Sequence, residues 1–140
     1  MQFNPLIPEL YCSKFEQSLE FYTKVAGFSV SYSRPEERFA FLEREGSQLM
    51  IEQSTQPERT WLAGKAEYPY GRGMNLQIRV SDVKHLHEVF KNANVKIFLQ
   101  LEEKWYRSDK ILLGNLQFIA LDPDGYLLRF FQNLGSKDVS

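Results

Sequence analysis

Two helix-forming stretches of this chain carry the same local signature, and the segments around them repeat as well. Phe15, Leu19, Tyr22 and Val25 follow at helical spacing after Ser13 and Glu16, the Ser-x-x-Glu form of a capping box, with Gly27 as the stop. Val83, Leu86, Phe90 and Ala93 share one face of a second helix that opens at Ser81 or Asp82 and ends at Asn94. Glu20-Phe21-Tyr22 in the first is matched by Glu88-Val89-Phe90 in the second. A strand pattern precedes each helix (residues 6–12 and 74–80), and three follow it. The three are residues 29–33, 38–43 and 48–53 in the first half, and 95–101, 116–121 and 126–132 in the second. Glu45-Gly46 and Asp122-Pro123-Asp124-Gly125 turn the last pair of each half. The chain thus reads as βαβββ twice, an α+β protein with modules at 5–55 and 74–133. Residues 56–73 read as the linker, and 102–114 as a second loop insertion.

With 140 residues, 43% of them hydrophobic, the chain supports one core and one domain, 1–140. A net charge of -1 with both signs interspersed offers no basic footprint for nucleic acid. Residues 1–11 lack a signal-peptide pattern, and no run approaches the ~20 apolar residues needed to span a bilayer, so a cytoplasmic protein without membrane partners is expected. A single cysteine, Cys12, excludes an internal disulfide and a cysteine-based zinc site; it reads as a half-buried strand thiol.

Alternation along three strands sorts apolar from polar residues. If the apolar set packs on the helices, the opposite face carries Asn75, Gln77 and Arg79 in one strand, Gln48, Met50 and Glu52 in another, and Ile7 and Glu9 in a third. Either that face is merely solvated, or it lines a site.

Three stretches decide how to read it: Cys12-Ser13-Lys14-Phe15-Glu16-Gln17-Ser18-Leu19-Glu20-Phe21-Tyr22 with Gly27-Phe28; the junction Arg79-Val80-Ser81-Asp82-Val83; and Gln117-Phe118-Ile119-Ala120-Leu121-Asp122-Pro123-Asp124-Gly125-Tyr126-Leu127-Leu128-Arg129-Phe130. In order and spacing they resemble the vicinal oxygen chelate superfamily of glyoxalases, extradiol dioxygenases and fosfomycin- and bleomycin-resistance proteins. The resemblance implies a curved, barrel-like mixed sheet with a central cleft lined by the polar faces. It also implies that the metal positions of catalytic members fall here at Ile7, Glu52, Asn75 and Arg129.

Isoleucine cannot ligate, asparagine is a weak neutral ligand, and a guanidinium repels a cation at contact distance. No metal, cofactor or catalytic residue is therefore expected. His85 and His87, the only histidines, stand two apart on the second helix, cannot chelate together, and read as solvated. Without a histidine in the cleft, neither a Cys-His nor a Ser-His nucleophile assembles. A charge in the cleft needs a partner, so Glu9 or Glu52 is expected to pair with Arg129.

The pattern is closest to the bleomycin-resistance-like group, with further likeness in Trp61-Leu62, Glu67-Tyr68-Pro69-Tyr70-Gly71-Arg72-Gly73 and Glu102-Glu103-Lys104-Trp105-Tyr106-Arg107. The resemblance implies a metal-free, homodimeric protein that binds and sequesters an antibiotic-like small molecule. Its expected ligand-binding residues are Glu9, Met50, Glu52, Trp61, Asn75, Gln77, Arg79, Trp105, Tyr106 and Arg129, because such a ligand needs rigid aromatic surface with a few fixed polar groups. The alternatives are a divalent-metal glyoxalase-like lyase or dioxygenase, and a ligand-free module whose cleft is filled by Met50, Leu127 and Phe131.

Overall fold

The computed structural model describes residues 1–139; Ser140, the end of the expected domain, lies outside the described residues. Two compact units are present, Met1–Tyr70 with Pro123–Gly125, and Gly71–Asp122 with Tyr126 onward. The first contains β1 (Glu9–Tyr11), α1 (Phe15–Glu20), β2 (Ser29–Arg34), β3 (Phe39–Arg44) and β4 (Ser47–Glu52). The second contains β5 (Asn75–Arg79), α2 (Val83–Asn92), β6 (Ile97–Ser108), β7 (Ile111–Leu121) and β8 (Leu127–Asp138). Each unit holds one four-stranded mixed sheet, ordered β1-β4-β3-β2 and β5-β8-β7-β6. The first strand of each runs parallel to the last, and the other pairs are antiparallel. The two βαβββ repeats expected from the sequence are thus the two sheets of an α+β fold.

Local chemistry explains most element boundaries. Glu45 and Gly46, at φ 46° and 88°, make the tight β3-β4 turn. At α2 the Asp82 carboxylate accepts the His85 N–H at 3.1 Å, and Asn94 leaves the helix at φ 57°. Gly27, at φ 78°, sits where a Cβ would collide with the Arg44 guanidinium, which donates to the Ala26 carbonyl at 3.0 Å.

Four expectations change. The capping box at Ser13 does not form: Lys14 occupies the cap without a side-chain bond, the Gln53 side chain accepts the Phe15 N–H at 2.8 Å, and Ser13 turns to Asp124 instead. Helix α1 is also short, and residues Phe21–Val25 continue it as a π-helical turn. Residues 102–114 are not a loop but the far half of a long hairpin, paired from Glu102 opposite Gln117 to Ser108 opposite Ile111 and closed by Asp109 at φ 58°. Polar residues on both faces of β6 hide its strand character, because only a half-buried strand shows alternation. Finally, His87 is 7% exposed, bonded to Gln100 Oε1 at 3.0 Å and set against Phe118, so it is a satisfied core histidine rather than a solvated one.

The helices cover one face of each sheet. Under α1 lie Leu10, Leu42, Leu49 and Ile51; under α2, Phe90, Phe118 and Phe130 meet with ring centroids 5.3–5.5 Å apart. Each such buried phenylalanine contributes roughly 1.5–3 kcal/mol of apolar transfer, which fixes the helix side of the sheet and leaves alternate side chains for the other.

Candidate functional site

In the first unit the face away from α1 carries Glu9, Met50 and Glu52 together, since Glu9 is paired with Met50 and Glu52 lies two residues beyond it on β4. Phe39 and Phe41 stand opposite Glu52 and Met50 on β3. Tyr32 stacks on Phe41 at 5.2 Å, Arg34 lies 4.0 Å over Phe39, and Phe3 meets Phe41 edge-on. The amino-terminal segment is held there by Gln48, which accepts the Asn4 N–H at 2.7 Å and donates to the Gln2 carbonyl at 2.8 Å. Sequence reading missed these aromatics because residues 39–42 are uniformly apolar, and an unbroken apolar run does not reveal which members face which way. Burial, and then the neighbouring Glu9 carboxylate, push the Glu52 carboxyl above the ordinary glutamate range, with Arg34 partly offsetting them. Trp61 is 65% exposed; its backbone N–H donates to Tyr11 Oη at 3.1 Å and the Arg59 guanidinium lies over its ring.

In the second unit the face away from α2 forms a concavity of about 340 Å³. Gln77, Tyr106, Arg129 and Phe131 line it, with Leu113 and two asparagines, Asn115 and Asn133, toward the open end of the β7-β8 pair. Arg129 is opposite Gln77 in register and donates through Nη2 to Gln77 Oε1, while its Nε is buried without a hydrogen-bond partner. Gln117, 2% exposed, gives one amide hydrogen to Glu102 Oε2 at 2.8 Å and the other to Tyr106 Oη at 2.7 Å. Gln77, Tyr106 and Arg129 therefore line one concavity, with Tyr106 on a strand rather than in the expected loop. Asn75 and Arg79 flank Gln77 on the same side of β5, outside the concavity. Trp105 is not brought to it: it pairs with Gly114 on the opposite face of the hairpin, bonded to Glu103 and capped by Lys137 at 4.0 Å. Leu113 and Asn115 were missed because they precede the expected strand 116–121, Asn133 because it follows the expected end of the last strand at 132, and Gln117, inside an expected strand, because its role depends on residues distant in sequence.

The partner expected for Arg129 was Glu9 or Glu52. Its side-chain bond in its own unit is to Gln77, and the cation acting on Glu52 in its own unit is Arg34.

The model of the Glyoxalase/Bleomycin resistance protein/Dioxygenase superfamily matches residues 4–130. The chain belongs to this superfamily. Among solved structures it is similar to a glyoxalase/bleomycin resistance protein/dioxygenase superfamily member from Vibrio splendidus 12B01, at 36% identity over 90% of this chain and 95% of that one, with a TM-score of 0.42. TioX from Micromonospora sp. ML1 is 22% identical over 94% of this chain and all (100%) of that one, TM-score 0.70. A protein of unknown function from Agrobacterium tumefaciens str. C58 is 23% identical over 96% and 95%, TM-score 0.69. These last two share the fold. No curated protein matches the chain.

Metal-dependent glyoxalase-superfamily members imply a divalent ion, and the residues here do not fit one. Aligning Phe15 with Val83 through the repeat makes Tyr11 equivalent to Arg79 and Glu9 to Gln77; the strand registers then match Met50 with Arg129 and Glu52 with Phe131. Glu52 is thus displaced by two residues from the counterpart of Arg129, and the corresponding positions carry Ile7 and Met50 in the first unit and Asn75 and Arg129 in the second. A thioether, an amide, an alkyl group and a guanidinium make no site for a hard or borderline cation. Among the described residues no three His, Cys, Asp or Glu side chains converge to hold a metal ion.

Proposed function

We propose that this glyoxalase-superfamily chain is a metal-free binding protein of the bleomycin-resistance-like type, which sequesters an antibiotic-like small molecule as a cytoplasmic homodimer, with residues 1–140 acting as one functional domain. The observation that carries the reading is Arg129: a guanidinium, lining a concavity beside Tyr106 and Phe131, at a strand position where catalytic members hold a metal ligand. A permanent cation there opposes metal capture and favours a polar organic ligand seated on aromatic surface. The dimer is supported by the edge strands: β2 and β6 end their sheets, and β6, twelve residues long with Phe98 exposed, is an edge that proteins ordinarily cover. No helix is long and apolar enough to cross a membrane among the described residues.

Native mass spectrometry of untagged protein purified without chelator tests the reading. Two bare chains, or two chains with an organic adduct, is the expected mass. A stoichiometric divalent ion on each chain would replace the binding protein with a metal-dependent lyase or dioxygenase.

A further inference from the structure

We infer that the concavity on the second sheet is a carboxylate subsite, built for a small monoanionic acid with a flat apolar body. The inference rests on the binding-protein reading above and names the chemistry of its ligand.

The argument starts at the floor. Gln117 has two amide hydrogens and spends both, one on the Glu102 carboxylate and one on the Tyr106 hydroxyl oxygen. The amide orientation is set by Glu102, since a carboxylate accepts and does not donate. Because Tyr106 Oη already accepts a hydrogen, its own proton is free to be donated into the concavity that the ring lines. Arg129 adds the charge. One of its five N–H groups is engaged by Gln77, its Nε–H is buried and unpartnered, and no carboxylate of its own unit forms an ion pair with it among the described residues. A guanidinium with so little of its donor fork used is matched by a carboxylate, whose two oxygens accept parallel N–H bonds.

The surroundings select a monoanion. On the same face, strand alternation places Arg79 and Lys104 with Arg129, against Glu102 and, at the far end of β8, Asp138, so the balance over this half of the sheet stays positive. Only Arg129 among those cations lines the concavity, and its neighbours Gln77, Asn115 and Asn133 are neutral amides, too little charge for a dianion such as a phosphate monoester. Phe131 and Leu113 supply the apolar wall on which a ring lies flat. The volume of about 340 Å³ suits a ligand of one or two rings.

Saturation-transfer NMR on the full untagged chain in metal-depleted buffer, with phenylacetate, phenylacetamide and phenethylamine as isosteric probes, decides it. Phenylacetate is expected to bind about tenfold or more tightly than either of the others. Arg129→Gln should abolish that preference, Arg129→Lys should keep a weakened part of it, and Tyr106→Phe should weaken phenylacetate binding several-fold, all with unchanged circular dichroism. Equal binding of the amide, preference for the amine, an unaffected Arg129→Gln protein, or no phenylacetate binding at about 10 mM would each overturn the inference. Failure of the two readings separates cleanly. Amide or amine bound to metal-free protein removes the acid and keeps the binding protein, whereas phenylacetate bound only after a divalent ion is restored removes both.

Discussion

The indole of Trp105 lies over Gly114, its register partner across the β6-β7 hairpin, so closely that a Cβ at position 114 would come within 2.7 Å of the ring. Gly114→Ala should therefore cost about 1–3 kcal/mol, as for other overpacked sites, and chemical denaturation would read it. Because the same contact turns Trp105 away from the concavity, Trp105→Phe should leave phenylacetate affinity unchanged. Loss of binding in that variant would return Trp105 to the ligand site.

Glu52 predicts a pH dependence whose sign follows from its neighbours. Burial and Glu9 raise its folded-state affinity for a proton above that of the unfolded chain. Between the ordinary glutamate value and the higher folded one, the native state holds more protons, so stability falls as pH rises through that window. Glu52→Gln should be the more stable protein at pH 7 to 8, with the two converging below the ordinary glutamate range. Parallel curves across that range would show that Glu52 is not perturbed.

Asp124, buried at 5% exposure, accepts the Ser13 N–H at 2.9 Å and the Ser13 hydroxyl at 2.5 Å. Asp124→Ala removes both charge-assisted bonds and should cost about 1.5–3 kcal/mol in thermal or urea unfolding. Ser13→Ala removes the hydroxyl alone and should cost less than half as much.

Phe118 touches Phe90, Phe130 and His87 and has no exposed surface. Phe118→Ala should destabilise the protein by about 3–5 kcal/mol, through lost transfer energy and the cavity left beneath α2. A loss under about 1 kcal/mol would mean that the aromatic cluster does not hold the helix to the sheet.

The strand face that carries Gln77 was legible because β5 is half-buried. Gln77 and Arg79 were placed correctly by alternation in β5, where Leu76, Ile78 and Val80 leave no doubt about the inward side. Trp105 was misplaced for the opposite reason: β6 is polar on both faces, so nothing in its own residues distinguishes strand from loop, and the hairpin exists through its pairing with β7. Gln117, which sets the direction of the Tyr106 hydroxyl, reads in sequence only as one residue of the strand 116–121. Its importance depends on Glu102 and Tyr106, eleven to fifteen residues away along the chain.

The sequence by itself determined the two βαβββ repeats, the helix that opens at Asp82, the tight turn at Glu45-Gly46 and superfamily membership, because periodicity and turn chemistry are properties of neighbouring residues. Tertiary structure alone decided that Ser13 serves Asp124 rather than its own helix, that Glu52 stands two residues from the counterpart of Arg129, and that Tyr106 rather than Trp105 lines the concavity. Those outcomes depend on strand register, and a shift of one residue in register exchanges the two faces of a strand while leaving its local sequence unchanged.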